Sequence, residues 1–463
     1  MDASLFRLWM ATVERDPSAV AVIEASTGRR WTRAALAAGA GQWADSFVRS
    51  AKRPPHGRRV AMSVPNGAGW LQVFLGIMAA GAIPAPIDPS EPEEAQVAAA
   101  RSIGAACLWR EGRAHVLAGS PGTRSRSAAE CLVKMTSGSS GTPRGLAATH
   151  AQMEADGRQI CVSMGIGPRD ANLAAIPLGY SYGLGNLVVP LMVQGTSLIC
   201  VSSALPHAIA ADALAHAPTV FPAVPPILSA LAASDLQRRS FSSLRLVISA
   251  GSPLSPEIAA SFEGKFGVRI HGFYGTSETG GIAFDRTGDA TLAGRSVGEP
   301  IAGVRIAGAR AGRFTVSSGA VIAAGGFSPA DRGRLNDFGE LVLLGRTDRV
   351  VKVAGRRLDL AEIERALRAV PGVSDAFAHL PAGADPALSA AVATLLPAAE
   401  VRRLLRPRLA SWKIPTRIVA LPRFPATQRG KVDAAGLRQL LSAPRIATSI
   451  STFRAARQIS APR

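Results

Sequence analysis

A ten-residue run, Thr136-Ser-Gly-Ser-Ser-Gly-Thr-Pro-Arg-Gly145, mixes hydroxyl side chains with glycines shortly after the apolar residues Cys131, Leu132 and Val133. Glycine has no Cβ to hold a ligand off the backbone, so such a loop can bring N–H and O–H groups together on one anion. A polyphosphate is the guest it suits. The Gly-x-x-x-x-Gly-Lys-Ser/Thr spacing of the kinase and GTPase phosphate loop is absent, which excludes that type of site. Taken alone, the run also reads as a Gly/Ser-rich surface linker.

At 463 residues the chain is too long for one small core and suits two or three packing units. Hydrophobic residues make up 47% of it but aromatics only 5%, so the cores must rest on Ala, Val, Leu and Ile. Net charge is +19, yet only six of the 52 basic residues are lysine. The arginines are dispersed, with no recognition motif and no aromatic-plus-basic platform, so the charge points to anionic small molecules or an acidic protein surface and not to nucleic acid. An Arg-over-Lys bias with abundant alanine is also what a GC-rich genome produces. The four cysteines (Cys107, Cys131, Cys161, Cys200) form no close pair and no metal spacing, and the seven histidines include no His-Glu-x-x-His. A reducing cytosol is therefore expected. The first residues lack the basic-then-apolar pattern of a leader. The apolar stretch from Trp70 to Ala85 is broken by Gly76, Gly81 and Pro84 and is too short for a bilayer. A cytoplasmic protein without a membrane span is the expectation.

Helical patterns alternate with short β-like runs through the first 290 residues, which predicts an α/β sheet. Arg59–Val64 and Ala82–Ile87 read as strands around a buried helix from Gly67 to Ala80, whereas 91–130 reads as polar and irregular. Leu246–Ala250 and Val268–Gly272 read as strands that end in loops, where α/β proteins place ligands. Residues 294–345 are rich in Gly and Val and read as a β subdomain. Beyond Gly345-Arg-Thr-Asp348 come a β run (Val350–Val353), a turn, a helix from about Leu360 to Val370, and another from Ala398 to Leu409. Residues 442–463 have four arginines and no acid and read as a frayed basic tail.

Three further segments carry chemistry. Gly272-Phe-Tyr-Gly-Thr-Ser-Glu-Thr-Gly280 holds one of only three tyrosines, and a Tyr face can stack on a purine. Its Thr276 and Ser277 offer hydroxyls, and Glu278 offers a hard oxygen suited to Mg²⁺. The plain alternative is a strand-end turn with a core tyrosine. Gly345–Arg357 is by itself a basic hairpin, and Thr427-Gln-Arg-Gly-Lys-Val-Asp433 a loop with a surface lysine.

In this order the four segments resemble those of the adenylate-forming superfamily of acyl- and aryl-CoA ligases, peptide-synthetase adenylation domains and luciferases. The resemblance runs from about Pro17 to Leu441. It implies a large N-terminal domain (1–345) of layered α/β sheets plus a β subdomain, a small mobile C-terminal α+β domain (346–441), and the basic tail (442–463). Within the phosphate loop it assigns Thr136, Ser137, Gly138, Ser139, Ser140 and Gly141 to the β/γ-phosphates, beside Arg144. Tyr274 would stack on adenine next to Gly275, Thr276 and Ser277 would meet the α-phosphate, and Glu278 would hold Mg²⁺. Asp331 lies eight residues before Gly339 and fits the ribose-binding segment. Gly251 and Ser252 fall in the segment beside adenine. Pro177–Leu184 matches the acyl-pocket segment, with Tyr180 as its lining aromatic and Ala250, Gly251, Gly275 and Gly280 leaving room. Arg346 would help hold the nucleotide, Asp348 would be the hinge, and Gly355 and Arg357 would complete the thiol side. Lys431 would bridge the carboxylate and the ATP oxygens.

The implied reaction has two halves. A carboxylate attacks the α-phosphate of ATP to give acyl-AMP and pyrophosphate, then the thiol of coenzyme A, or of a carrier protein's phosphopantetheine, takes the acyl group. Arg144 stands where the family usually has lysine, Ser277 replaces the usual threonine, and Ser328-Pro-Ala-Asp331 lacks the usual Thr-Gly. A catalytically weak nucleotide-binding protein on the same fold is the reading that these departures leave. Pro177–Leu184 has no acid to pair with an α-amine, so aryl or fatty acids are expected rather than α-amino acids.

Overall fold

The computed structural model describes residues 4–50, 55–117, 125, 127, 129–137, 143–308, 312–353, 356–381, 388–426 and 432–443. By internal contacts the chain divides between Leu344 and Gly345 into two compact units.

The first unit is built on a nine-stranded sheet. Its centre is parallel, in the order Ile270–Thr276, Leu246–Ser249, Val220–Ala223, Ala171–Ala174, Ser197–Cys200 and Val20–Glu24. Antiparallel strands close both edges, Gly280–Phe284 and Glu299–Pro300 at one and Arg29–Thr32 at the other. The central strands are short and mostly apolar and buried, the pattern of a sheet covered on both faces. Leu173, Ile199, Phe221 and Val247 pack on one side with the helices Pro206–His216, Pro225–Ala233 and Pro256–Phe266. Val220, Ile248 and Ile282 pack on the other with the helix His150–Met164.

A four-stranded sheet orders Ile83–Pro86, Arg59–Ser63, Cys107–Arg110 and Arg113–Val116. The helix Ala68–Ala79 beside it buries Trp70, Leu71, Phe74, Leu75 and Ile77. The stretch 91–130, read from sequence as irregular, is structured over much of its length. Glu93–Ser102 is a helix with Glu93 and Glu94 in its first turn, where acids complement the helix dipole. Cys107–Arg110 and Arg113–Val116 form a hairpin closed by Glu111 and Gly112, both at positive φ as a two-residue hairpin turn requires. Polarity hid both elements, because each has one exposed side. Between 294 and 345 the expected β character is present as the pairs Arg305–Ala307 with Thr315–Ser317 and Asp331–Leu335 with Leu341–Arg346.

The second unit is α+β. The hairpin Val350–Val353 and Arg356–Asp359 leads into the helix Leu360–Arg368, whose N-cap Asp359 accepts from Ala361 N. That helix packs on the sheet Val373–His379, Ser389–Thr394 and Arg417–Leu421. The helix from Ala398 ends at Leu405, four residues short of the expected Leu409, because Pro407 cannot continue it. Inside this unit the buried Glu364 pairs with Arg349, which also donates to the Ala378 carbonyl at 2.9 Å.

Candidate active site

Three of the implied segments leave the carboxyl ends of neighbouring parallel strands, the edge of an α/β sheet that receives ligands. Ala171–Ala174 runs toward Pro177–Leu184, Leu246–Ser249 into Ala250-Gly251-Ser252, and Ile270–Thr276 carries Tyr274 itself. Ser249 pairs with Gly272, so the last two lie side by side. Ala250 is buried, whereas Gly251 and Ser252 are exposed.

Tyr274 and Asp331 are brought together from 57 positions apart: the phenol donates to Asp331 Oδ2 at 2.8 Å. The turn that follows is locked from within. Thr276 N donates to Thr279 Oγ1 at 3.3 Å, the two hydroxyls lie 3.0 Å apart, and the Glu278 carbonyl accepts from Ile322 N at 2.9 Å. The Glu278 carboxylate has no hydrogen bond or ion pair among the described residues. Gly275 and Gly280 answer to this turn: a Cβ on Gly275 would come 2.5 Å from the Gly280 carbonyl oxygen, and Gly280 has φ +68°.

The segment expected to hold phosphates grows from a hairpin. Glu130–Ser137 pairs with Pro143–Thr149 in antiparallel register, Thr136 opposite Arg144, and Thr136 Oγ1 donates to the Arg144 carbonyl at 3.2 Å. Ser137 is the last described residue before the tip, and Gly138, Ser139, Ser140 and Gly141 lie outside the described residues. Gly145 has a packing reason of its own, since a Cβ there would sit 2.4 Å from Ile103 Cγ2.

The segment Pro177–Leu184 meets the segment Gly272–Gly280 directly. Ser181 Oγ lies 2.7 Å from Ser277 Oγ. Tyr182 donates to the Ile248 carbonyl at 3.2 Å, its ring lies beside Phe273, and burial pushes its hydroxyl well above the usual phenol range. Tyr180 sits to one side, its hydroxyl on Asp88, in a cleft with Val64, Asn66, Trp70 and Pro177. Motif matching singled out Tyr180 and passed over Ser181 and Tyr182, which carry the contacts to the strands. Asp88, Lys134 and Asp156 were also missed. Asp88 brings an acid to the acyl segment from 92 positions away, which local reading of Pro177–Leu184 could not show.

The four cysteines are buried and unreactive by environment, with burial pushing Cys107 up to about 11 and Cys161 and Cys200 up to about 12. No cluster of three or more His, Cys, Asp or Glu suited to a metal occurs among the described residues. No helix among them is long and apolar enough to cross a membrane.

The remaining assignments fall on the second unit. Arg346 ends the strand Leu341–Arg346, and Asp348 lies in the short 3₁₀ turn Thr347–Arg349 that follows. Arg357 lies on the strand Arg356–Asp359. Gly355 and Lys431 lie outside the described residues.

A mixed α/β frame in which Tyr274 meets Asp331 and Ser277 meets Ser181 is that of the adenylate-forming superfamily. The chain belongs to the AMP-binding enzyme family, whose model matches residues 9–129 and 118–309. It is 27% identical over 492 residues to the nonribosomal peptide synthetase CymA of Salinispora arenicola, covering 96% of this chain and 6% of that protein's length. It is 27% identical over 455 residues to the anthranilate–CoA ligase of Pseudomonas aeruginosa, covering 83% of this chain and 87% of that one. Its fold matches ATP-bound MatB from Rhodopseudomonas palustris with a TM-score of 0.82 at 22% identity, over 96% of this chain and 99% of MatB.

Proposed function

We propose that this protein activates an aryl carboxylic acid with MgATP and transfers the acyl group to the thiol of coenzyme A. The observation that carries this reading is the junction of the Tyr274–Asp331 pair with the acyl segment through Ser277 and Ser181. It is what supports reading the two segments as one site for nucleotide and acid. Similarity to an anthranilate–CoA ligase along most of both chains supports an aryl acid, with fatty acids as the other class in reach.

The reacting partners are both anions, so positioning and charge neutralisation dominate the chemistry. Tyr274 presents its ring to adenine and holds Asp331 by one carboxylate oxygen, leaving the other to accept from the ribose hydroxyls. Thr276 and Ser277 offer hydroxyls to the α-phosphate, and the hairpin at Thr136 and Arg144 offers donors to the β- and γ-phosphates. The Glu278 carboxylate is an anionic oxygen without a partner among the described residues, which fits a magnesium ion that would offset phosphate charge. Lys431 steadies the attacking carboxylate. As the carboxylate oxygen bonds to the α-phosphorus, pyrophosphate leaves. The thiol then attacks the acyl carbon and AMP leaves. Asp348 is the hinge at which the second unit turns between these steps, exchanging the Lys431 loop for the Gly355–Arg357 side.

A second reading keeps the adenylation and replaces coenzyme A by the phosphopantetheine of a carrier protein. Similarity to CymA and the +19 charge, which suits an acidic carrier surface, favour it. Mass analysis after incubation with MgATP, single aryl or fatty acids and either thiol separates the readings. An aryl-CoA product supports the first. Acyl-AMP that loads only the carrier arm supports the second. No AMP with any acid leaves a nucleotide-binding protein of weak or no activity.

A further inference from the structure

Behind the turn that carries Glu278 lie two charged side chains that the mechanism does not use. Lys134 belongs to the strand Glu130–Ser137 and is 2% exposed, amid the buried Cys131, Leu132 and Val133. Asp156 belongs to the helix His150–Met164 and is also 2% exposed. A lone charge in either place is expensive, so each needs a reason to be there.

Both reach the same short stretch from opposite ends. Lys134 Nζ donates to the Ser277 carbonyl at 3.4 Å. Asp156 Oδ1 accepts from Gly281 N at 2.9 Å. Gly280 makes the second contact possible, because a Cβ there would fall 2.3 Å from Asp156 Oδ1. Burial holds the Asp156 carboxyl above its usual range, and the Lys134 charge and the Gly281 hydrogen bond pull it only partly back. The stretch from Ser277 to Gly281 contains Glu278, and Ser277 is the residue that touches Ser181 of the acyl segment.

We propose that Lys134 and Asp156 are positioning residues, a buried two-ended brace that sets the Ser277–Gly281 turn so that Glu278 and the Ser277 hydroxyl face the nucleotide and the acid together. This rests on the proposed function only for what the turn does. Buried charged side chains are weak evidence of stability, since an apolar or neutral replacement often folds as well or better. Conformational specificity is then what the pair contributes here.

The test uses the full chain with K134M, K134Q and the double variant K134M/D156N. Thermal melting, MgATP affinity by calorimetry, and ATP–pyrophosphate exchange with Mg²⁺ varied are each measured. The double variant leaves no buried net charge and keeps an acceptor for Gly281 N, so it should melt within a few degrees of the natural protein. It should bind MgATP at least about fivefold more weakly, and exchange should fall at least about tenfold in kcat with the KM of the acid little changed. K134Q keeps an N–H donor for Ser277 and should recover at least about threefold of what K134M loses. Natural affinity and exchange in the double variant would overturn the brace, as would equal losses in K134Q and K134M. Calorimetry needs no acid substrate. A natural protein that binds MgATP but exchanges with no acid therefore removes the proposed function while the affinities of the variants still decide the brace.

Discussion

At Tyr274 one hydroxyl ties the residue meant for adenine to the residue meant for ribose, 2.8 Å from Asp331. Tyr274→Phe keeps the ring and loses the tie. A single hydrogen bond to a carboxylate is worth about 1.5 kcal/mol, so the KM for ATP should rise about tenfold while kcat stays within about twofold. Initial rates with ATP varied read this, and an unchanged KM would show that Asp331 needs no orienting. Glu278→Gln exchanges the carboxylate proposed for magnesium for a neutral amide. It should lower kcat by about 100-fold, near 2.7 kcal/mol of transition-state stabilisation, and move the magnesium dependence to higher concentration. A variant with the natural magnesium profile would take the metal away from Glu278.

The turn Thr276–Gly281 and the hairpin Asp331–Leu335 with Leu341–Arg346 are the elements that aim these residues. Gly280→Ala puts a Cβ at φ +68° and against Asp156, and should destabilise the chain by about 2 kcal/mol, seen as a lowered Tm. The hairpin turn is fixed by Glu340, which accepts from Arg295, Ser296 and Asn336 at 2.8 to 3.0 Å. The Arg295 hydrogen bonds, first among these causes, hold its carboxyl down to about 2 from 4.5. Its folded value lies below its unfolded one, so its contribution is complete above about pH 4.5 and fades as pH falls toward 2. Glu340→Gln should flatten the stability curve across that window, and a curve parallel to that of the natural protein would contradict it. These elements also mark what sequence could tell. Tyr274 and Ser277 stood out as an aromatic and a hydroxyl among glycines after a strand, and Asp331 only through the family resemblance. Lys134 and Asp156 did not, because a lysine in an apolar strand and an aspartate 22 positions later share no period and meet only through a turn over 120 residues further on. The helix Glu93–Ser102 was missed for the opposite reason, since its exposed face made a regular element look like a loop.

At the scale of the whole molecule, two compact units divide at Gly345 and the proposed chemistry divides between them. The first holds the Tyr274–Asp331 pair and the acyl segment, and the second carries the lysine segment that ends at Asp433. If Lys431 serves only the first half-reaction, Lys431→Ala should lower adenylation by at least about 100-fold and slow thioester formation from pre-made acyl-AMP by less than about threefold. Equal losses in both would deny the alternation. The proposed division follows the family order of the motifs at 136, 274, 346 and 431. The choice of acid was not legible, because the residues near Tyr180 include Asp88 and Trp70, which come from distant parts of the chain. The measurement that bears most directly on the central claim is pyrophosphate release from MgATP with a panel of aryl and fatty acids, with and without coenzyme A. Release with an aryl acid, accelerated by coenzyme A, is the expected result. No release with any acid would contradict it.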